Sequence, residues 1–242
     1  GMRGGKGIAI RRREKTGGIP AMEVITREIW PKPKAVLLSL THNATAASVD
    51  LEVWGEVVEF GKRSTIMIVH DFAYAQLGFD GYSPPSILQI PGAKDIAVEI
   101  TTMSKVYSMA GWRVGFCVGN PNIIDDLYSI KGYFDYGIFT PVQVAAISAL
   151  DGPREKVLDT VETYRRRRDA FVDGLAKIGW NVPRPKATMY LWCPIPEKYR
   201  SMGSLEFSAK LLTEAEVVVS PGIAFGEFGE GYIRISLVEN EQ

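Results

Sequence analysis

Lys105 lies in a stretch, Thr101 to Phe116, whose residue types suit covalent and anion chemistry. A short apolar run, Ile96 to Ile100, precedes it and reads as a buried strand carrying one charge, Glu99. That puts Lys105 just past the carboxyl end of a strand, where open α/β sheets bind ligands. A lysine made neutral by desolvation or by nearby cations is nucleophilic toward a carbonyl and can form a Schiff base. Arg113 keeps its charge and has the fork geometry for a phosphate. Thr102 and Ser104 offer hydroxyls to the same anion. Taken alone, Lys105 also reads as a solvated loop lysine and Arg113 as an ordinary ion-pair partner.

Other segments bring more polar residues to the same place. Ala35 to Leu40 is an apolar run of the buried parallel kind, and the loop after it holds Asn43. Thr65 to His70 is a second apolar strand, and it runs into Asp71 and Tyr74. If these strands are parallel, Asn43, Asp71, Tyr74 and Lys105 share one edge of the sheet. That set suits a pyridine aldehyde. Asp71 beside the ring nitrogen would keep it protonated, which makes the ring an electron sink. Tyr74 and Asn43 would donate to the ring's phenolate oxygen. Lys105 would hold the aldehyde and then move a proton, while Arg113 and Thr102 hold the phosphate. Arg234 sits in a mostly apolar strand, Tyr232 to Leu237, and a half-buried arginine needs a carboxylate. That partner is either an internal Asp or Glu, or the α-carboxylate of an amino acid.

The elements that must place these residues follow from spacing. Met22, Ile25 and Ile29 have helical spacing, stopped by Pro31 and Pro33. Asp50 is placed to cap a helix whose inner face is Leu51, Trp54, Val57 and Val58. Arg113 to Val118 reads as a fourth strand. Ile123, Ile124, Leu127 and Ile130 mark one helix, and Pro141 opens another running to Leu150. A long amphipathic helix covers Val157 to Ile178 and ends near Gly179; its run Arg165 to Arg168 reads as a solvated face. Thr188 to Cys193, Val217 to Ser220 and Tyr232 to Val238 read as strands, with a helix over Leu205 to Leu212. The fold class is α/β: a mostly parallel sheet, then a small α+β unit. The expected division is a basic, glycine-rich tail at 1–20, a cofactor-binding part at 21–152, a connecting helix at 153–179 and a small domain at 180–242.

Composition excludes several functions. The chain has 242 residues, 46% hydrophobic and 23% charged, enough for a sizeable core in an ordinary soluble composition. A formal net charge of +0 gives no pull toward nucleic acid or an anionic membrane. Apolar runs fall short of the roughly 18 residues of a membrane span. Cys117 and Cys193, far apart and flanked by apolar residues, read as buried free thiols in a cytoplasmic protein. Two histidines are too few for a metal cluster around His70 and Asp71 and make a Ser-His-Asp triad a poor fit.

The ordered set of motifs resembles class I/II aminotransferases of fold type I. The matching residues are Asn43 to Ala46, Asp71 to Tyr74, Thr102 to Lys105, Arg113 to Gly115, and Tyr232 to Arg234. Trp30 to Lys34, Ser86 to Gln89, Phe139 to Pro141 and Tyr164 to Asp169 look most like the LL-diaminopimelate aminotransferase and alanine transaminase branch. The resemblance implies pyridoxal 5'-phosphate bound by Asn43, Asp71, Tyr74, Thr102, Ser104, Lys105 and Arg113, with a substrate carboxylate on Arg234 and Asn43. It implies amino acid and 2-oxo acid substrates and a homodimer. Alternatives are a non-catalytic remnant of the fold, or a lyase or decarboxylase; an Arg234 that keeps the α-carboxylate argues against decarboxylation. Against the family pattern the chain starts close to the asparagine strand and stops before a C-terminal helix, so it reads as shortened at both ends. Ala44 and Ala46 stand where the family usually has proline and glycine, which implies a looser loop.

Overall fold

The computed structural model describes residues 33–239. The N-terminal tail and the helix expected over Met22 to Ile29 lie outside the described residues, as do the last three residues. The described residues form a four-stranded sheet with one connecting helix, three further helices, and a three-stranded sheet with one helix. The first sheet contains β1 (Ala35–Leu38), β2 (Met67–Asp71), β3 (Ala97–Thr102) and β4 (Gly115–Gly119), in that order. Pairing is parallel from β1 to β3, and β4 runs antiparallel to β3. Helix α1 (Leu51–Ser64) connects β1 to β2.

Alternation decides what this sheet buries. Val36, Leu38 and Ile68 meet Trp54, Val57, Val58 and Phe60 of α1 in the main core. Approach is close enough that a Cβ on Gly61 would come within 2.6 Å of Ile96 Cδ1 and 3.1 Å of the Ile66 carbonyl oxygen, so a larger residue there would force Ile96 to move. The opposite face is open: Leu37 on edge strand β1 is 69% exposed, and Ile100 and Phe116 are also exposed. The first strand is therefore one-sided among the described residues, where its apolar run implied burial on both faces, whereas the third buries Ala97, Val98 and Glu99 in succession and opens only from Ile100. Asp50 occupies the N-cap of α1 but makes no side-chain cap bond.

Inside the sheet, His70 and Glu99 are register partners and both are buried. Glu99 Oε2 accepts from His70 Nδ1 at 3.0 Å, from Ser86 Oγ at 2.8 Å and from the Ile87 N–H. Glu99 is thus a structural tie between the strands and the 3-10 turn Ile87–Gln89.

Three helices follow: α2 (Pro121–Asp135), α3 (Thr140–Leu150) and α4 (Glu155–Lys177). Asn120 caps α2 by accepting from the Ile123 N–H, and Pro121 is its first residue. None of its residues is buried among the described residues. The α3 residues Val142 and Ala146 pack on Met103, Met109 and Val114. The second sheet has the order β5 (Tyr190–Pro194), β7 (Tyr232–Ser236), β6 (Ser220–Pro221), all antiparallel, with α5 (Gly203–Ala215) between β5 and β6. Leu191, Cys193, Ile233 and Ile235 face Val172 of α4 and Phe207 of α5. Strand β6 is only two residues long, because Val217 to Val219 do not pair.

Two readings need correction. The run Arg165 to Arg168 is a solvated face only in part: Arg166 is exposed and Arg165 pairs with Glu162 and Asp169 on the helix surface, but the other two turn inward. Arg168 is 1% exposed and donates to Asp80 Oδ2 at 2.7 Å and to the Pro185 carbonyl at 3.0 Å. Its guanidinium also lies over the Phe79 ring, and Arg167 donates to the carbonyls of Leu237 and Val238. A basic run can turn inward when carbonyls and carboxylates converge on it. Cys117 is only half-buried, because β4 lies at the sheet edge; Cys193 is buried, and burial pushes its thiol up to about 12.

The loop after β1 is closed by its own residues. His42 exchanges backbone bonds with Ala46 and Ala47, and its Nδ1 lies 2.9 Å from Thr45 Oγ1. These bonds close the loop without the family's proline. Ala46 sits at φ +54°, a left-handed conformation that disfavours a Cβ.

Ala46→Gly removes the left-handed penalty and should raise stability by about 0.5–1 kcal/mol in urea unfolding, after glycine's own entropic cost. Arg168→Met keeps the stem but strands the Pro185 carbonyl, and should lower stability by about 1–3 kcal/mol in the same assay. The Arg168 hydrogen bond holds the Asp80 carboxyl below its ordinary 3.8. That contribution is complete above pH 3.8 and is lost as pH falls through the lowered folded-state value, so wild type and Asp80→Asn should converge in strong acid.

Candidate active site

The parallel register of β1, β2 and β3 brings their carboxyl ends to one edge. Asn43 follows β1, Asp71 closes β2, Tyr74 lies three residues on, and Lys105 follows β3. Arg234 arrives at this edge from the second sheet, at the middle of β7.

Four of the expected residues form one connected group. Arg234 Nη1 donates to Asn43 Oδ1 at 2.6 Å. Asn43 Nδ2 in turn donates to the Tyr74 hydroxyl. Lys105 Nζ lies 5.9 Å from the centre of the Tyr74 ring. Tyr74 is buried, packed with Leu77, Val106 and Met189, and meets the Tyr190 ring edge-on at 6.0 Å between centroids. Burial, reinforced by Tyr190, pushes the Tyr74 phenol far above its ordinary value. It therefore stays protonated and keeps an O–H to donate.

Thr102 and Ser104 form a second small group. Their hydroxyls are 2.9 Å apart, and the Ser104 N–H donates to Thr102 Oγ1 at 3.1 Å. Arg113 does not begin a strand. It sits in the left-handed region at φ +52° after the 3-10 turn Ala110–Trp112, exposed, with Nη1 donating to the Ala110 carbonyl at 3.0 Å. The antiparallel pair Thr102↔Gly115 brings the start of β4 back to the end of β3, so Arg113 and the two hydroxyls belong to one end of the sheet. Asp71 is exposed and accepts the Ala73 N–H at 3.3 Å. It closes β2 three residues before Tyr74, at the same end of the sheet.

Among the described residues, no carboxylate lies within ion-pair distance of Arg234. Its guanidinium carbon instead lies 4.1 Å from the Tyr190 ring centre and 4.5 Å from that of Phe225. Neither aromatic was picked out by sequence. The signal was the alternation of Tyr190 and Trp192 with Leu191 and Cys193, which gives β5 one aromatic and one aliphatic face. No group of three or more His, Cys, Asp or Glu able to hold a metal occurs among the described residues. No described helix is long and apolar enough to cross a membrane.

Known proteins share this fold. The family model "Aminotransferase class I and II" matches residues 7–242. Glutamate-pyruvate aminotransferase AlaC of Escherichia coli K12 is 53% identical over 219 residues, 90% of this chain and 53% of that protein. An LL-diaminopimelate aminotransferase of Halothermothrix orenii is 40% identical over 99% of this chain and 61% of its own length. Among solved structures, substrate-bound BacF from Bacillus subtilis superposes with a TM-score of 0.90 at 35% identity, over 96% of this chain and 58% of that one. Aspartate aminotransferase from Thermotoga maritima gives 0.87 at 26% identity, over 99% and 61%. The chain thus spans between half and two-thirds of the length of these relatives. With a fold-type I α/β architecture and a family match over nearly all its residues, the chain belongs to the class I and II aminotransferases.

Proposed function

We propose that this chain carries catalytic residues of a pyridoxal 5'-phosphate-dependent aminotransferase, moving an amino group between an α-amino acid and a 2-oxo acid. One observation carries the reading. Arg234, without a protein carboxylate among the described residues, is hydrogen-bonded to Asn43, and Asn43 to Tyr74, beside Lys105. The names of the relatives point to alanine, glutamate and LL-diaminopimelate as candidate amino donors.

The donor set fits the cofactor: an amine, a phenol held protonated by burial, a carboxylate, and two hydroxyls 2.9 Å apart near an arginine. When bound, pyridoxal 5'-phosphate supplies an aldehyde and an electron-withdrawing pyridinium ring. Lys105 Nζ is the amine that attaches it and the base that carries a proton at the substrate carbon. The Asp71 carboxylate holds a proton on a ring nitrogen. The Tyr74 O–H and Asn43 N–H donate to a phenolate oxygen. Thr102, Ser104 and Arg113 hold a phosphate, and Arg234 with Asn43 holds a substrate carboxylate bidentately. The expected units, 21–152 for the cofactor, 153–179 for the connecting helix and 180–242 for the small domain, belong to this proposal, as do assembly as a homodimer and a cytoplasmic location.

A second reading is a chain that keeps the fold without turnover. Helix α2 favours it, with Tyr128, Tyr133 and Phe134 exposed on a surface that no described residue covers.

Titration with pyridoxal 5'-phosphate, borohydride reduction and peptide mapping tests the site. Label confined to Lys105 and abolished in Lys105→Ala is the expected result; label scattered over surface lysines refutes the assignment. Transamination, followed as paired appearance of a new amino acid and a new 2-oxo acid, should fall at least about 10³-fold in Lys105→Ala. Cofactor retention without paired products supports the second reading. Asn43→Ala breaks the link between Arg234 and Tyr74 and should lower kcat/KM about ten-fold, ~1.4 kcal/mol.

A further inference from the structure

Arg234 is held by more than Asn43. On the open face of the second sheet, Arg234 of β7 pairs in register with Trp192 of β5 and Ser220 of β6. Tyr190 lies two residues along β5 on the same face. Phe225 comes from the 3-10 turn Gly222–Phe225 that follows β6. That turn is anchored by a close backbone crossing, because a Cβ on Gly222 would fall 1.9 Å from the Gly229 carbonyl oxygen. Trp192 supports Phe225 edge-on at 5.7 Å and stacks on Tyr232 at 5.3 Å.

We propose that Tyr190 and Phe225 are positioning residues that fix the plane of the Arg234 guanidinium, so that the edge left beyond Asn43 meets the substrate's α-carboxylate. The inference rests on the carboxylate role given to Arg234 under Proposed function. Donors of a guanidinium lie in its plane, and its faces are weakly hydrated and stack on aromatic rings. Two ring centres within 4.5 Å of the guanidinium carbon therefore restrict the side chain, and stacking of this kind consumes no N–H. The Asn43 bond, made to Nη1, fixes rotation within that plane. Together they order a long, flexible stem before a carboxylate arrives, which lowers the entropic cost of binding. Tyr190 also packs against the cluster of Tyr74, Leu77, Val106 and Met189, but a packing role alone does not explain the Phe225 ring. The core of this sheet is on its other face, formed by Leu191, Cys193, Ile233 and Ile235, while Phe225 is 38% exposed.

The test is arginine side-chain NMR on the full chain without cofactor, using pyruvate as the carboxylate probe. The Arg234 Nε–Hε signal, assigned by its loss in Arg234→Lys, should be displaced upfield by ring currents and should respond to pyruvate. Tyr190→Phe keeps a ring and should preserve both the displacement and the affinity within about two-fold. Tyr190→Leu and Phe225→Leu should each lose displacement and weaken pyruvate about three- to ten-fold. If Tyr190→Leu loses the folded circular dichroism spectrum, Phe225→Leu, at a more exposed position, carries the test. Leucine variants that leave the Arg234 signal and the pyruvate affinity unchanged overturn the proposal. A wild-type signal that is ring-shifted and sensitive to both leucine variants, yet indifferent to pyruvate, upholds the positioning and refutes the carboxylate role instead.

Discussion

A hydrogen bond between Arg234 and Asn43 spans 191 residues of sequence and joins the two sheets. Either sheet alone would hold half of a site. The first delivers an amine, a phenol, a carboxylate and two hydroxyls; the second delivers the cation. In a flexible exposed pair such a bond would have little value. Here Asn43 is fixed by a closed loop and Arg234 by aromatic faces, so both partners reach the bond with little freedom left to lose.

Other contacts keep the two sheets in that relation. Arg168 of α4 reaches Asp80 and the Pro185 carbonyl together. The chain after β2 also pairs with the chain before β5: Phe79 donates to the Lys186 carbonyl, and Thr188 to that of Leu77. The long helix is thus a splint. Its buried arginine sets where the chain carrying Tyr74 ends relative to the strand carrying Tyr190.

Much of this was legible from spacing. The three parallel strands, the helices α1 to α4 and the residues Asn43, Asp71, Tyr74 and Lys105 follow from apolar periodicity and from what lies at each strand end. What sequence could not give depends on partners far along the chain. Leu37 reads as core because its neighbours are apolar, and only the sheet order makes it an edge residue with an open face. Arg168 reads as solvated because four cations stand together, and only the fold brings the Pro185 carbonyl and Asp80 to it. Arg113 reads as part of a strand because Val114, Phe116 and Val118 continue it, but the turn before β4 requires a left-handed residue there. Tyr190 and Phe225 carry no motif. Their position over Arg234 follows from β5–β7 register and from a glycine crossing between two turns.

The reversal at β4 has a further consequence. Thr102 and Gly115 are ladder partners, and the Met103 N–H donates to the Val114 carbonyl at 3.1 Å. The segment that carries Lys105 is therefore a closed ring of backbone, fastened where it leaves the sheet and where it returns. Substitutions among Tyr107 to Gly111 can change how the ring lies without moving its fastened ends. Descendants of such a chain could thus vary what surrounds the amine while the sites of attachment stay in register.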